Sequence, residues 1–225
     1  MQNQLVRALV SLAVSIAVVW ALLFLPAGTF AWPQAWWFIA VFVLGLALSI
    51  AVLWRVNPEI FAARTGFKPG TKRWDLVIAP LVIVGLVAIL PVAGLDYRFG
   101  WTQVPLPFVI LGHLLFIAGF IVLAWAQAVN KFFEPGVRIQ TERAHQVIDT
   151  GPYAYVRHPG YVGASFLAVG LALALGSFAA LLPAVLTIAV LVLRTALEDR
   201  TLQIELPGYA DYARRVRYRL VPGLW

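Results

Sequence analysis

Four stretches of about 20 residues, Leu5–Leu25, Trp36–Trp54, Leu76–Leu95 and Leu106–Ala128, are almost free of charge. A run of that length and apolarity spans the roughly 30 Å hydrocarbon core of a bilayer as one helix. In lipid the backbone must satisfy its own N–H and C=O groups, which leaves an isolated span little choice but to be helical. A fifth apolar block, Tyr161–Leu193, runs for about 33 residues. As one straight helix it would reach about 50 Å at 1.5 Å per residue, more than the hydrocarbon core. Gly176, Ser177 and Pro183 interrupt it, so a tight helical hairpin is predicted, with two short legs of about 15–18 residues. The expected fold is all-α: a polytopic membrane helix bundle of about six spans, including this C-terminal hairpin.

Composition agrees. Hydrophobic residues make up 62% of the 225 and charged residues only 12%, against about a quarter charged in a soluble domain. There is no cysteine, which removes disulfides, cysteine-ligated metal and thiol nucleophiles together. The net charge of +7 does not point to nucleic acid, because the basic residues lie between apolar runs. They follow the positive-inside pattern instead. Arg55, Arg64, Lys68, Lys72 and Arg73 follow the second span; Lys131, Arg138, Arg143 and Arg157 follow the fourth; Arg200, Arg214, Arg215, Arg217 and Arg219 lie in the tail. Pro26–Pro33 and the hairpin turn carry no charge. The expectation is an integral, multi-pass membrane protein with both termini and the basic loops in the cytoplasm, in the inner membrane if the source is bacterial. The first run reads as a retained span rather than a cleaved leader.

The chain then divides into residues 1–128, four spans with a basic loop at 55–74, and residues 129–225, a connector, a motif, the hairpin and a tail, all within one domain. In the tail, Leu202, Leu206, Tyr209 and Tyr212 recur at near-helical spacing, and Pro207-Gly208 breaks the pattern. A basic amphipathic segment lying on anionic lipid is one reading of it.

The most irregular stretch, "GPYAYVRHPGYVG" at 151–163, abuts the hairpin. His158 precedes Pro159 and is biased away from helical geometry. Pro159 suits the first turn of the helix that follows. That helix N-terminus, with Arg157 beside it, could take an anionic group such as a carboxylate; equally, Arg157 could be a plain topology anchor. In "RTALEDR", Arg194 and Glu198 stand four apart and share a helix face. The second hairpin leg returns them toward His158 and Arg157. They form either a salt bridge or part of a site, as intramembrane ion pairs often do. Asn130 and His145 add polar groups in the connector. No phosphate-loop, dinucleotide, zinc-protease or serine-hydrolase motif is found, and the three histidines lack metal spacing. Any cofactor must sit among the membrane helices and their connections.

The stretch "HQVIDTGPYAYVRHPGYVG", the apolar hairpin, "RTALEDRTL" and "LPGYADYARRVRYRLVPGLW" together resemble the isoprenylcysteine carboxyl methyltransferase family, its bacterial members most, and the related phospholipid methyltransferases. The loop "NPEIFAARTGFKPGTKRWD" is also similar to one that bacterial members carry. The resemblance implies an S-adenosylmethionine-dependent methyltransferase acting on a lipid or isoprenoid-type acceptor within the membrane. It implies that His145, Val147, Gly151, Tyr153, His158, Pro159 and Tyr161 line the cofactor site. Glu198 would contact the cofactor or orient the substrate, and Arg194 would lie nearer the methyl acceptor. Arg157 would meet the cofactor carboxylate. Glu198-Asp199 stands where the family often has two acids, and Leu206-Pro207-Gly208 replaces its usual Phe-Gly. The other readings are phospholipid amine methylation, an NADPH-dependent sterol-type reductase, and a transporter.

Overall fold

A computed structural model of the protein describes residues 2–225, with side chains from residue 13 onward. Eight α-helices follow one another among the described residues: α1 (Gln2–Ala27), α2 (Pro33–Val56), the short α3 (Ile60–Ala63), α4 (Asp75–Phe99), α5 (Leu106–Val129), α6 (Pro159–Ala174), α7 (Leu181–Glu205) and α8 (Tyr209–Arg215). No strand occurs among the described residues. Helices α2, α4, α5 and α7 are long and apolar enough to cross a membrane; Ala13–Ala27 of α1 and all of α6 are apolar but shorter. Leu44, Leu81, Val84, Leu114 and Ile121 face outward and are more than half exposed. That outward apolar surface suits hydrocarbon and not water. The fold is a helical membrane bundle.

Prolines and glycines set the helix ends. Proline stands in the first turn of α2, α5 and α6, where no N–H is missed. The hairpin turns at Gly176, whose φ of 73° is left-handed and so favours glycine. The first predicted leg has the expected length and the second is corrected. The first leg, α6, has 16 residues, but α7 has 25 and continues well past the apolar block as far as Glu205. Pro183 does not break the hairpin; it sits in the first turn of α7. Pro80 and Pro91 lie inside α4.

Helices α5 and α6 approach most closely, through glycine. A Cβ on Gly112 would fall 2.2 Å from the Ala174 nitrogen, and one on Gly170 would fall 2.5 Å from that of Phe116. Small residues permit such backbone contact between membrane helices. The main core joins Leu23, Trp32, Phe38, Ile89 and Phe116 with Ala168 and Leu175. At the same end, buried Asp96 accepts from the Thr102 amide at 2.8 Å and from the Ser177 hydroxyl, tying α4 to the hairpin turn. At the opposite, charged end, a second core of Leu206, Tyr209 and Tyr212 packs on Ile139 and Val147. The tail therefore folds back onto the connector, and its Tyr209 and Tyr212 are inside, not on lipid.

Candidate functional site

Between those two cores lies a cavity of about 320 Å³, within the size range of small-molecule sites. Its inner wall is apolar, with Val82, Leu86, Leu123, Leu167 and Leu191 from α4, α5, α6 and α7. Its outer wall is polar, with His145, Tyr153, Glu198 and Tyr209. Of the residues expected at a site, His145, Val147, Tyr153, Arg157, His158, Tyr161, Arg194 and Glu198 all line it.

Gly151 and Pro159 are not among the lining residues. Gly151 has a φ of 58°, and a Cβ there would stand 3.0 Å from the Trp125 ring nitrogen, so it shapes the turn. Pro159 is buried and starts α6, with His158 as its N-cap. Gly160 lines the cavity instead.

Arg157 lines the cavity with most of its donors already taken. Its Nε and Nη2 donate to both oxygens of Asp199 at 2.7 and 3.0 Å, and its Nη1 donates to the carbonyls of Val216 and Arg217 at 2.8 and 2.9 Å. With its donors so committed, it bolts the tail to α7 rather than waiting for a ligand carboxylate. The backbone seconds this: the amides of Arg157 and His158 donate to the Tyr218 and Arg219 carbonyls at 2.9 and 3.0 Å. Asp199, with no exposed surface, is the hub. It also accepts from Arg219 at 2.9 Å, Tyr209 at 3.0 Å and Gln203 at 2.8 Å, and lies 3.3 Å from His158 Nε2. This set satisfies a buried carboxylate fully, as burial of a charge requires.

Arg194 and Glu198 do not pair with each other. Arg194 makes a two-pronged bond to buried Asp75 at 2.7 and 2.8 Å and donates to the Pro135 carbonyl at 2.6 Å. Its guanidinium sits 5.3 Å from the centre of the Tyr161 ring, within cation–π range. Asp75 accepts the Val137 amide at 2.7 Å as well, so one acid joins α4, α7 and the connector. Glu198 accepts the Tyr161 hydroxyl and has no cationic partner among the described residues.

The connector supplies hydrogen-bond donors. The His145 ring packs 4.5 Å from that of Phe132, and its Nδ1 accepts the Gln140 amide at 3.3 Å. Loss of water lowers its pKa to about 4, so it is neutral near pH 7 and its Nε2 carries the proton. Tyr153 accepts from Asn130 at 3.0 Å. Burial raises its pKa, so its hydroxyl proton stays in place for donation. A half-buried carboxylate without a cation, neutral donors on the connector and an apolar floor form a donor set that suits an amino-acid-bearing, cationic small molecule such as S-adenosylmethionine.

Residues 107–205 match the phospholipid methyltransferase family (PEMT). The matched segment runs from α5 to the last residue of α7 and is less than half of the 225-residue chain. The family is one of methyltransferases, and the match contains His145, His158, Arg194, Glu198 and Asp199. No curated protein matches the chain. Arg64, which caps α3, and Asp75, the first residue of α4, lie outside the matched segment and are not among the site residues the sequence pointed to. An acid directly ahead of an apolar run was the available signal for Asp75.

Proposed function

We propose that the protein is an integral membrane, S-adenosylmethionine-dependent methyltransferase that acts on a lipid-borne acceptor, with an isoprenylcysteine-like carboxylate as the preferred class. The observation that supports this best is the two-faced cavity: an unpaired carboxylate and neutral donors on one wall, hydrocarbon on the other, within a segment that matches a methyltransferase family. Both termini and the cavity would face the cytoplasm, where the methyl donor is dissolved.

S-adenosylmethionine, when bound, supplies a methyl group already activated by a sulfonium. The chain's part is to bind and align. Glu198, held by the Tyr161 hydroxyl, accepts from an ammonium or ribose hydroxyl. His145 and Tyr153 donate from the connector. Asp75 locks Arg194 above Tyr161, so its charge is fixed rather than mobile. The apolar wall from α4 to α7 takes a lipid tail and keeps water from the head. A carboxylate acceptor is ionised at pH 7 and needs no base, so rate enhancement comes from orientation and desolvation.

The family match favours phospholipid amine methylation as the second reading. The test is transfer of radiolabelled methyl from S-adenosylmethionine into a total lipid extract by the purified protein. A base-labile product is the ester expected here; a base-stable product is the amine. No incorporation overturns both.

A further inference from the structure

The charges facing the cavity can be matched one by one. Glu134 is taken by Arg138 at 2.7 and 2.9 Å. Arg157 and His158 are taken by Asp199, and Arg194 by Asp75. Two groups are left without an ionic partner among the described residues: Glu198 and Arg64. Arg64 lines the cavity. It caps the end of α3, and its guanidinium lies 5.3 Å from the centre of the Phe133 ring. No carboxylate and no side-chain hydrogen bond holds it among the described residues.

Arg64 is exposed to solvent as well as to the cavity, but the loop beneath it is fixed. The loop that carries it is tied at both ends. Asn57 donates to the Gln127 carbonyl at 2.7 Å, and Glu59 pairs with Arg143 at 2.9 Å. Lys72 pairs with Glu205 at 2.6 Å, and its amide donates to the Val137 carbonyl at 2.9 Å. The Phe133 ring under Arg64 is itself wedged against α6: a Cβ on Gly160 would stand 2.8 Å from it. Partial loss of water and the nearby Arg194 cation both lower the pKa of Arg64. Two guanidinium groups thus face one space, and the acid near them, Asp75, is spent on Arg194. A solvent-exposed cation at the cavity rim, with a second cation behind it and no carboxylate partner among the described residues, draws an anion.

Position indicates which anion. Arg64's loop leads directly into α4, whose Ala79, Val82 and Ile83 form part of the apolar wall. An amphiphile lying along that wall brings its head to Arg64, while Glu198 and the connector donors lie on the polar wall. We propose that Arg64 binds the oxyanion of the lipid-borne acceptor, a carboxylate or a phosphate, and so selects anionic amphiphiles. This rests on the methyltransferase reading for the word acceptor, but the binding itself can be measured without methyl transfer.

The test is titration calorimetry of the purified full-length protein in a neutral detergent at pH 8, with dodecanoate and dodecyl phosphate as probes and S-adenosylmethionine titrated separately. The wild type is expected to bind at least one probe. Arg64→Gln should weaken that binding by about 10-fold or more, the scale of a lost charge-assisted hydrogen bond. Arg64→Lys should recover part of it, since it keeps the charge and loses the fork. Arg73→Gln, which removes a charge from the same loop outside the cavity, should change it by less than about 2-fold. S-adenosylmethionine affinity should be kept in Arg64→Gln, which also shows that the variant is folded. A loss confined to dodecanoate assigns a carboxylate head, and one confined to dodecyl phosphate assigns a phosphate head. The proposal is overturned if the wild type binds neither probe, if Arg64→Gln binds both as well as wild type, if Arg73→Gln loses as much, or if the loss falls on S-adenosylmethionine instead. Failure of the wild type to bind S-adenosylmethionine would remove the methyltransferase reading and leave the probe result to decide Arg64.

Discussion

Glu198 and Asp199 are neighbours in sequence with opposite tasks, and substitution of each in turn separates them. Asp199 has no exposed surface, and Arg157, its main partner, is only 7% exposed. Asp199→Asn places an amide where two guanidinium groups and a tyrosine hydroxyl now donate. Removing one partner of a buried ion pair costs about 3–5 kcal/mol, because the other charge stays buried. Asn keeps one acceptor oxygen, so the lower end, about 3 kcal/mol, is expected. For a chain of this size that is a fall in Tm of about 6–12 °C. Glu198→Gln removes only the partner of the Tyr161 hydroxyl at a half-buried position. It should cost about 1 kcal/mol or less, within about 4 °C. The assay is thermal unfolding in neutral detergent, without ligand, followed by tryptophan fluorescence. The reasoning is refuted if Asp199→Asn melts with the wild type, or if Glu198→Gln falls as far as Asp199→Asn.

Three further outcomes are expected. Gly119→Ala would bring a Cβ to 2.8 Å from the Gly163 carbonyl oxygen, so α5 and α6 must part; a loss of about 1–3 kcal/mol should appear as a lower Tm. The unfolded His145 imidazole protonates near pH 6.5 and the folded one only near pH 4. Between those values the unfolded state binds more protons, so stability should fall as pH drops through this window, and His145→Gln should flatten the slope. Lys72→Ala breaks an ion pair with Glu205 whose members are 29% and 40% exposed; it should cost less than about 1 kcal/mol in the same melt, and a larger loss would mean the loop clasp was underrated.

The spans were legible because length and apolarity alone decide what lipid will accept. The start of α6 was legible too, since His158-Pro159 carries its own backbone rule. The length of α7 was not. Arg194 to Glu205 look like the end of a span, yet they stay helical because the tail, the connector and the loop before α4 cover them. The tail shows the same limit. The spacing of Leu206, Tyr209 and Tyr212 announced a buried face, but periodicity does not say what surface it meets, and here that surface is the connector and not lipid. The commitments of Arg157 were not legible for a related reason. Its partner, Asp199, is 42 residues away along the chain, and residue type cannot tell a committed donor from a free one. Asp199 itself hid behind Glu198, although one helix position turns it about 100° toward the tail. Arg64, at the end of α3, and Asp75, at the start of α4, reach the cavity rim and Arg194 only through folding.

The central claim is that the cavity between the His158-Pro159 corner and the last turns of α7 holds the methyl donor. Titration of S-adenosylmethionine into the purified wild type and Glu198→Gln tests it most directly. Saturable one-site binding to the wild type, weakened about 10-fold or more in a Glu198→Gln variant that melts normally, is the predicted result. No binding to the wild type, or equal binding to both, would contradict it.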